Sequence, residues 1–105
     1  MTGLPLLFVA ALLLPFEAAA GDPQAGRAKA EACAVCHGPA GLSTLPNAPH
    51  LAGQPAIYVE QQLRNFRSGA RRHEVMNVVA KPLTDADIGD LAAWFEAIKV
   101  VATPP

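Results

Sequence analysis

Cys33-Ala34-Val35-Cys36-His37 decides how the rest of this 105-residue chain is read, because both of its cysteines fall inside it. Two thiols separated by two residues and followed at once by an imidazole have a direct chemical reading as a c-type haem attachment site. Each thiol can add to one vinyl group of the porphyrin to form a thioether. The short spacer at a helix end sets the sulfurs about one vinyl-to-vinyl separation apart, and His37 is brought under the iron as its proximal ligand. Three other readings compete. A thioredoxin-like dithiol needs a βαβ context, and no alternating strand pattern is present. A structural zinc site needs four ligands, whereas Cys33, Cys36 and His37 supply three, with no second Cys-x-x-Cys or paired His. A disulfide across so short a loop stabilises little. The haem reading outweighs all three.

Upstream of the motif the chain changes character. Leu4 to Phe16 is an apolar run of 13 residues, followed by Glu17 and by Ala18-Ala19-Ala20, the small-x-small pattern that signal peptidase accepts. Residues 1–20 therefore read as a signal peptide cleaved after Ala20. The run falls short of the ~20 apolar residues of a membrane span and contains two prolines, which disfavours a retained anchor. No Lys or Arg precedes Arg27, so the α-amino group of Met1 alone stands in for the usual basic leader start. No cysteine lies near the cut, so a lipid anchor is not indicated.

Residues 21–105 form the remaining domain, with eight basic and eight acidic side chains once Glu17 is removed with the leader. A neutral domain is a poor match for nucleic acid or an anionic membrane, both of which require a surplus of Lys and Arg. A chain this short buries only about 60–65% of its unfolded surface. Scaffolds of that size ordinarily need a staple or cofactor as additional core.

The local signals are helical. Asp22-Pro23 reads as an N-cap with proline at the first helical position, opening a helix over about 23–33. From His37 to Gln54 the glycines and prolines mark a loop, long enough to wrap something. Pro55 starts a second helix to about Ser68, with Val59, Leu63 and Phe66 as its apolar stripe and Gly69 as its stop. Residues 70–82 show no clean period. Thr84, with Asp87 three residues on, opens a third helix that reaches about Val100 and presents Ile88, Leu91, Ala92, Phe95 and Ile98 on one face. The fold class is all-α.

With His37 on one side of an iron, the opposite axial position is the next question. Met76 is the one methionine outside the leader and lies in the aperiodic stretch. A lone methionine is ordinarily core filler; once a haem is granted, it becomes the favoured distal ligand. Thioether sulfur favours ferrous iron and raises the reduction potential, which a second imidazole would lower. The rivals His50 and His73 read better as solvated surface side chains.

These strings together resemble a known family. Gly26-x-Ala28-Lys29-Ala30 precedes Cys33-x-x-Cys36-His37-Gly38. Pro49-x-Leu51-Ala52-Gly53-Gln54 follows, then Tyr58, Gln62-Leu63, Phe66, Gly69 and Arg71, then Met76, Pro82-Leu83-Thr84-Asp85 and Leu91-Ala92-Ala93-Trp94-Phe95. Over about 21–98 the chain is similar to the small bacterial class I c-type cytochromes, especially the single-haem domain that occurs twice in the dihaem periplasmic cytochromes. The resemblance implies three to four helices wrapped around one covalently bound haem c. It implies first and last helices crossing at Gly26 against Leu91 and Trp94, and a Pro49 carbonyl that accepts the Nδ1 proton of His37. Leu51 and Phe95 would line the haem, and Gln54, Tyr58 and Arg71 are candidates for its propionates. His50 stands where the family commonly has Asn.

Two charge clusters remain: Arg64, Arg67, Arg71 and Arg72, and Asp85, Asp87, Asp90 and Glu96. They read first as solvated helix faces, with Glu60 and Arg64 spaced as an i, i+4 pair, and second as a dipole that orients a partner. The expected function is that of a periplasmic single-electron carrier, with His37 and Met76 as iron ligands and no open catalytic position. A dedicated cytochrome subunit of a periplasmic dehydrogenase is the alternative. The expected partners are redox protein donors and acceptors, such as a membrane oxidase, a reductase or a periplasmic dehydrogenase, with no nucleic acid, met by a monomer.

Overall fold

A computed structural model describes residues 1–14 and 21–105. The expected cleavage point after Ala20 adjoins residues 15–20, which lie outside the described residues. Residues 1–14 form neither helix nor strand and are exposed. Among the described residues no helix is long and apolar enough to cross a membrane, and the domain is all-helical with no strand.

Among the described residues five helices follow one another: α1 (Pro23–Lys29), α2 (Glu31–His37), α3 (Ala56–Ser68), α4 (Met76–Ala80) and α5 (Asp85–Ala97). The expected cap is in place at α1, where Asp22 Oδ1 accepts from the Gln24 N–H at 2.9 Å ahead of Pro23. The helix expected over about 23–33 is instead two helices. The chain bends at Ala30, yet the hydrogen-bond ladder runs through the bend, from Ala30 N–H to Gly26 O at 2.8 Å and from Ala34 N–H to Ala30 O at 3.1 Å. Ala30 is buried in the core. The bend is thus set by packing of a small side chain rather than by a local breaker.

α3 ends at Gly69 in the left-handed conformation. Its N-cap is Pro55, which offers no side-chain acceptor; the Ala56 N–H donates instead to the Glu96 carboxylate at the far end of α5. α5 opens with the expected capping box, Thr84 Oγ1 accepting from the Asp87 N–H at 3.1 Å and Asp87 Oδ2 accepting from the Thr84 N–H at 2.9 Å. α4 has no counterpart in the sequence periodicity, and with α2 it raises the helix number above the three to four that the resemblance implies.

α5 is the centre of the fold. Its Leu91, Ala92 and Phe95 join Ala30 and Val59 in the buried cluster, with Cys33, Leu51, Leu63 and Trp94 packed on its edge. α1 and α3 both lie against α5, and among the helices α4 packs on α3 alone. α1 approaches α5 closely because Gly26 has no side chain: a Cβ there would stand 1.9 Å from the Asp90 carbonyl oxygen and 2.8 Å from Trp94 Cβ. The crossing is fastened at its rim. Lys29 Nζ lies 2.7 Å from Asp90 Oδ2 and 2.9 Å from Asp87 Oδ1, and the Asp22 N–H donates to Asp90 Oδ1 at 2.9 Å. The Arg27 guanidinium sits over the Trp94 ring, 5.7 Å from its centre.

Candidate cofactor site

α2 carries the whole Cys-x-x-Cys-His string and ends on its histidine. Cys33 is half-buried against the core cluster, Cys36 faces solvent, and His37 is 9% exposed. The two thiols are free rather than joined, and burial pushes the Cys33 thiol up from its ordinary value. Gly38 follows with φ +84°, a conformation side chains rarely adopt, and its missing Cβ leaves room for the Leu42 carbonyl. The chain can therefore leave α2 sharply and return as a loop beneath the histidine.

That loop closes on His37. Nδ1 lies 2.8 Å from the Pro49 carbonyl oxygen. A carbonyl can only accept, so Nδ1 carries the proton and the lone pair sits on Nε2. Nε2 has no hydrogen-bond partner among the described residues, while every fully enclosed side-chain nitrogen or oxygen there is satisfied. Nε2 thus opens onto space that protein atoms do not fill. The loop is braced from within: Leu51 and Ala52 N–H groups donate to Gly41 O at 2.7 and 3.1 Å. The Ser43 N–H donates to His50 Nδ1 at 2.8 Å, and Ser43 Oγ donates to Cys36 O at 3.2 Å. His50 is exposed as expected, but it is a loop brace rather than a merely solvated side chain.

Met76 is the first residue of α4 and half-buried. It stands next to α3 rather than in contact with α2. Leu51 packs on the edge of the core and Phe95 is buried in it. Arg71 lies over the Phe66 ring at 4.7 Å and donates to Gln62 Oε1 at 2.7 Å, and Gln54 Nε2 reaches His50 O at 3.4 Å. The segments that bear His37 and Met76 also leave large apolar side chains uncovered, Leu42 and Leu45 on one and Val75 and Val79 on the other. Among the described residues no group of three or more His, Cys, Asp or Glu is placed to hold a metal ion, as the zinc alternative would need.

This donor set fits a haem: two free thiols, one imidazole with a fixed tautomer and an unoccupied lone pair, and apolar surface in search of cover. The profile of the family described as "Cytochrome c" matches residues 24–99. The chain belongs to the cytochrome c family. A cytochrome c4 of Thiocapsa roseopersicina is 50% identical over 76 residues, covering 71% of this chain and 39% of its own. A "thiosulfate dehydrogenase electron acceptor" of Stutzerimonas stutzeri is 41% identical over 101 residues, 90% of this chain and 47% of its own. The crystal structure of reduced recombinant cytochrome c4 from Pseudomonas stutzeri superposes with a TM-score of 0.72 at 38% identity, over 76% of this chain and 47% of that one. The chain thus spans less than half the length of these relatives. As a member of this family it carries covalently bound haem c, and Cys33-x-x-Cys36-His37 is the matching attachment string.

The two charge clusters meet at one ion pair. Arg67 Nη2 meets Asp85 Oδ1 at 2.7 Å while its Nη1 donates to Leu83 O at 3.1 Å, which pins the start of α5 to α3. Asp87 and Asp90 are engaged by Lys29. The pair foreseen between Glu60 and Arg64 is present at 3.7 Å.

Proposed function

We propose that this chain is a single-electron carrier of the periplasm, delivered there by its N-terminal leader, and that its iron is held between His37 and Met76. Bound haem supplies a one-electron ferric/ferrous couple. Cys33 and Cys36 hold it through thioethers, so it is retained during docking and release. His37 offers Nε2 to the metal, and the Pro49 carbonyl fixes the ring and makes it a stronger donor. Met76 offers a soft sulfur that favours the reduced state. Leu51 and Phe95 would help to exclude water from the bound group, and the uncovered Leu42, Leu45, Val75 and Val79 would give it apolar surface to cover. Were His37 and Met76 both to hold the iron, no position on it would remain for a substrate, in keeping with electron transfer rather than bond-making chemistry. The observation that carries this reading is the 2.8 Å contact between His37 Nδ1 and Pro49 O, which leaves Nε2 as the free donor.

A second reading makes the chain the dedicated acceptor subunit of a periplasmic dehydrogenase. The thiosulfate dehydrogenase electron acceptor, similar over 90% of this chain, favours it. A stable complex of native material on gel filtration supports this second reading, and a free monomer supports the first.

The test uses chain matured in a c-type system. The expected result is pigment that resists extraction by acidified organic solvent, a weak far-red band of thioether-bound ferric haem, and no carbon monoxide binding to the reduced form at neutral pH. Met76→Ala should abolish the band, admit carbon monoxide and lower the potential. An unchanged potential and band would refute the axial assignment.

A further inference from the structure

α4 is five residues long, and of these only Ala80 is buried. Val75, Val78 and Val79 are exposed, and α4 packs on no helix except α3. So short a helix does not persist by propensity. It is held instead by two polar side chains that flank Met76. His73 Nδ1 accepts from the Val75 and Met76 N–H groups, both at 3.2 Å, and so caps the first turn. The His73 N–H donates to Asn77 Oδ1 at 2.7 Å, and the Asn77 N–H returns to His73 O at 3.0 Å. Asn77 Nδ2 then spends both its hydrogens on α3 and the turn beyond it, reaching Phe66 O at 2.9 Å and Arg71 O at 2.8 Å. Phe66 O is among the last four carbonyls of α3, which have no partner within their own helix. One amide therefore satisfies a helix end and anchors the residue directly after the methionine.

We propose that His73 and Asn77 are positioning residues for Met76, His73 by capping its turn and Asn77 by bolting that turn to the end of α3. Together they set how firmly the thioether is kept in place. The proposal rests on the reading of Met76 as the distal ligand. It differs from a plain structural role in what moves on mutation: the clasp sits on the ligand's own turn and away from the α1–α5 core, so its loss frees the sulfur before it unfolds the domain.

The experiment uses full-length, haem-loaded protein and four variants, Asn77→Ala, Asn77→Asp, His73→Ala and His73→Asn, with Met76→Ala as reference. Three quantities are read: the far-red band of the ferric form, the rate of carbon monoxide binding to the ferrous form, and the midpoint of global unfolding. Asn77→Ala should weaken the band and speed carbon monoxide binding roughly tenfold, as expected for three lost neutral hydrogen bonds at the low end of their range. Asn77→Asp keeps the acceptor but replaces two donors with a carboxylate facing two carbonyls, so it should be at least as impaired. His73→Ala should behave like Asn77→Ala, and His73→Asn should restore the native values because an amide oxygen can cap the same turn. A band and a binding rate that stay native in both Asn77 variants overturn the proposal, as does a shift confined to the unfolding midpoint. Should the Asn77 variants yield no holoprotein, His73→Ala with a native band overturns it equally. If Met76→Ala itself leaves band and rate unchanged, the ligation reading has failed; if Met76→Ala responds and the clasp variants do not, the positioning role alone has failed.

Discussion

Gly26→Ala places a methyl group where α1 meets α5. Its Cβ would lie 1.9 Å from Asp90 O, 2.6 Å from Asp90 C and 2.8 Å from Trp94 Cβ. Two of the three obstacles are helix backbone and cannot rotate aside, so the helices must part by over about 1 Å to reach ordinary contact. Parting them loosens Ala30 from Leu91 and lengthens both Lys29 ion pairs and the Asp22 to Asp90 bond. Overpacking of this kind costs about 1–3 kcal/mol, against which alanine returns about 1 kcal/mol of helix propensity over glycine. A rigid obstacle places the loss at the top of its range, so the net destabilisation is about 2 kcal/mol, equivalent to roughly 10 °C in Tm for a domain of this size. Gly89→Ala provides the contrast on the same interface. Its Cβ would meet only Gly21 Cα, at 3.8 Å, so it should keep the propensity gain and stabilise by up to about 1 kcal/mol. Thermal and guanidinium unfolding of the two holoproteins, followed by far-ultraviolet circular dichroism, measures both. Equal stability of Gly26→Ala and the parent, or a shift of both variants in the same direction, would refute the close-approach argument.

Thr84→Ala removes half of the capping box at α5 and should destabilise the domain by about 1 kcal/mol in denaturant titrations; a change below measurement error would show that the Asp87 carboxylate alone suffices. The acid limb is also fixed in sign. The Lys29 ammonium, followed by the backbone and hydroxyl of Thr84, holds the Asp87 carboxyl at about 2 instead of its ordinary 3.8, and Asp85 and Asp90 are shifted the same way. A folded value below the unfolded one means that the stabilisation is complete above about pH 4 and disappears as the pH falls toward 2. Asp87→Asn should therefore flatten the fall of the unfolding midpoint between pH 4 and pH 2, and a fall as steep as in the parent would contradict the assignment. Lys29 is shifted up, chiefly by Asp90, so its part is lost only as the pH rises past its ordinary 10.5.

What was legible in the sequence was local chemistry. Asp22-Pro23, Thr84-x-x-Asp87 and Gly69 each act within a turn of their own helix, and each stands where the pattern places it. Gly26 and Pro49 were reached through the family resemblance, since nothing in their immediate neighbours says what lies across from them. The bend at Ala30 was not legible, because a buried alanine carries no breaker signal. α4 was missed for a related reason: its bonds run from Asn77 to α3 and the turn after it, between residues that periodicity does not connect. A polar ring three residues ahead of a backbone N–H, as His73 is to Met76, has the spacing of an N-cap and was the available hint. The pairing of Arg67 with Asp85 was not legible, because composition cannot show that the ends of α3 and α5 meet.

The union of α1 with α5 joins partners 61 to 68 positions apart, as in Lys29 and Asp22 with Asp90. Contacts so distant along the chain form late, after the entropy of closing the intervening loop has been overcome. Until α5 has formed and docked, Cys33 consequently lacks part of the cluster that half-buries it. Once α5 is in place, burial pushes the Cys33 thiol up from its ordinary value, so its reactive thiolate forms more readily before that docking than after it.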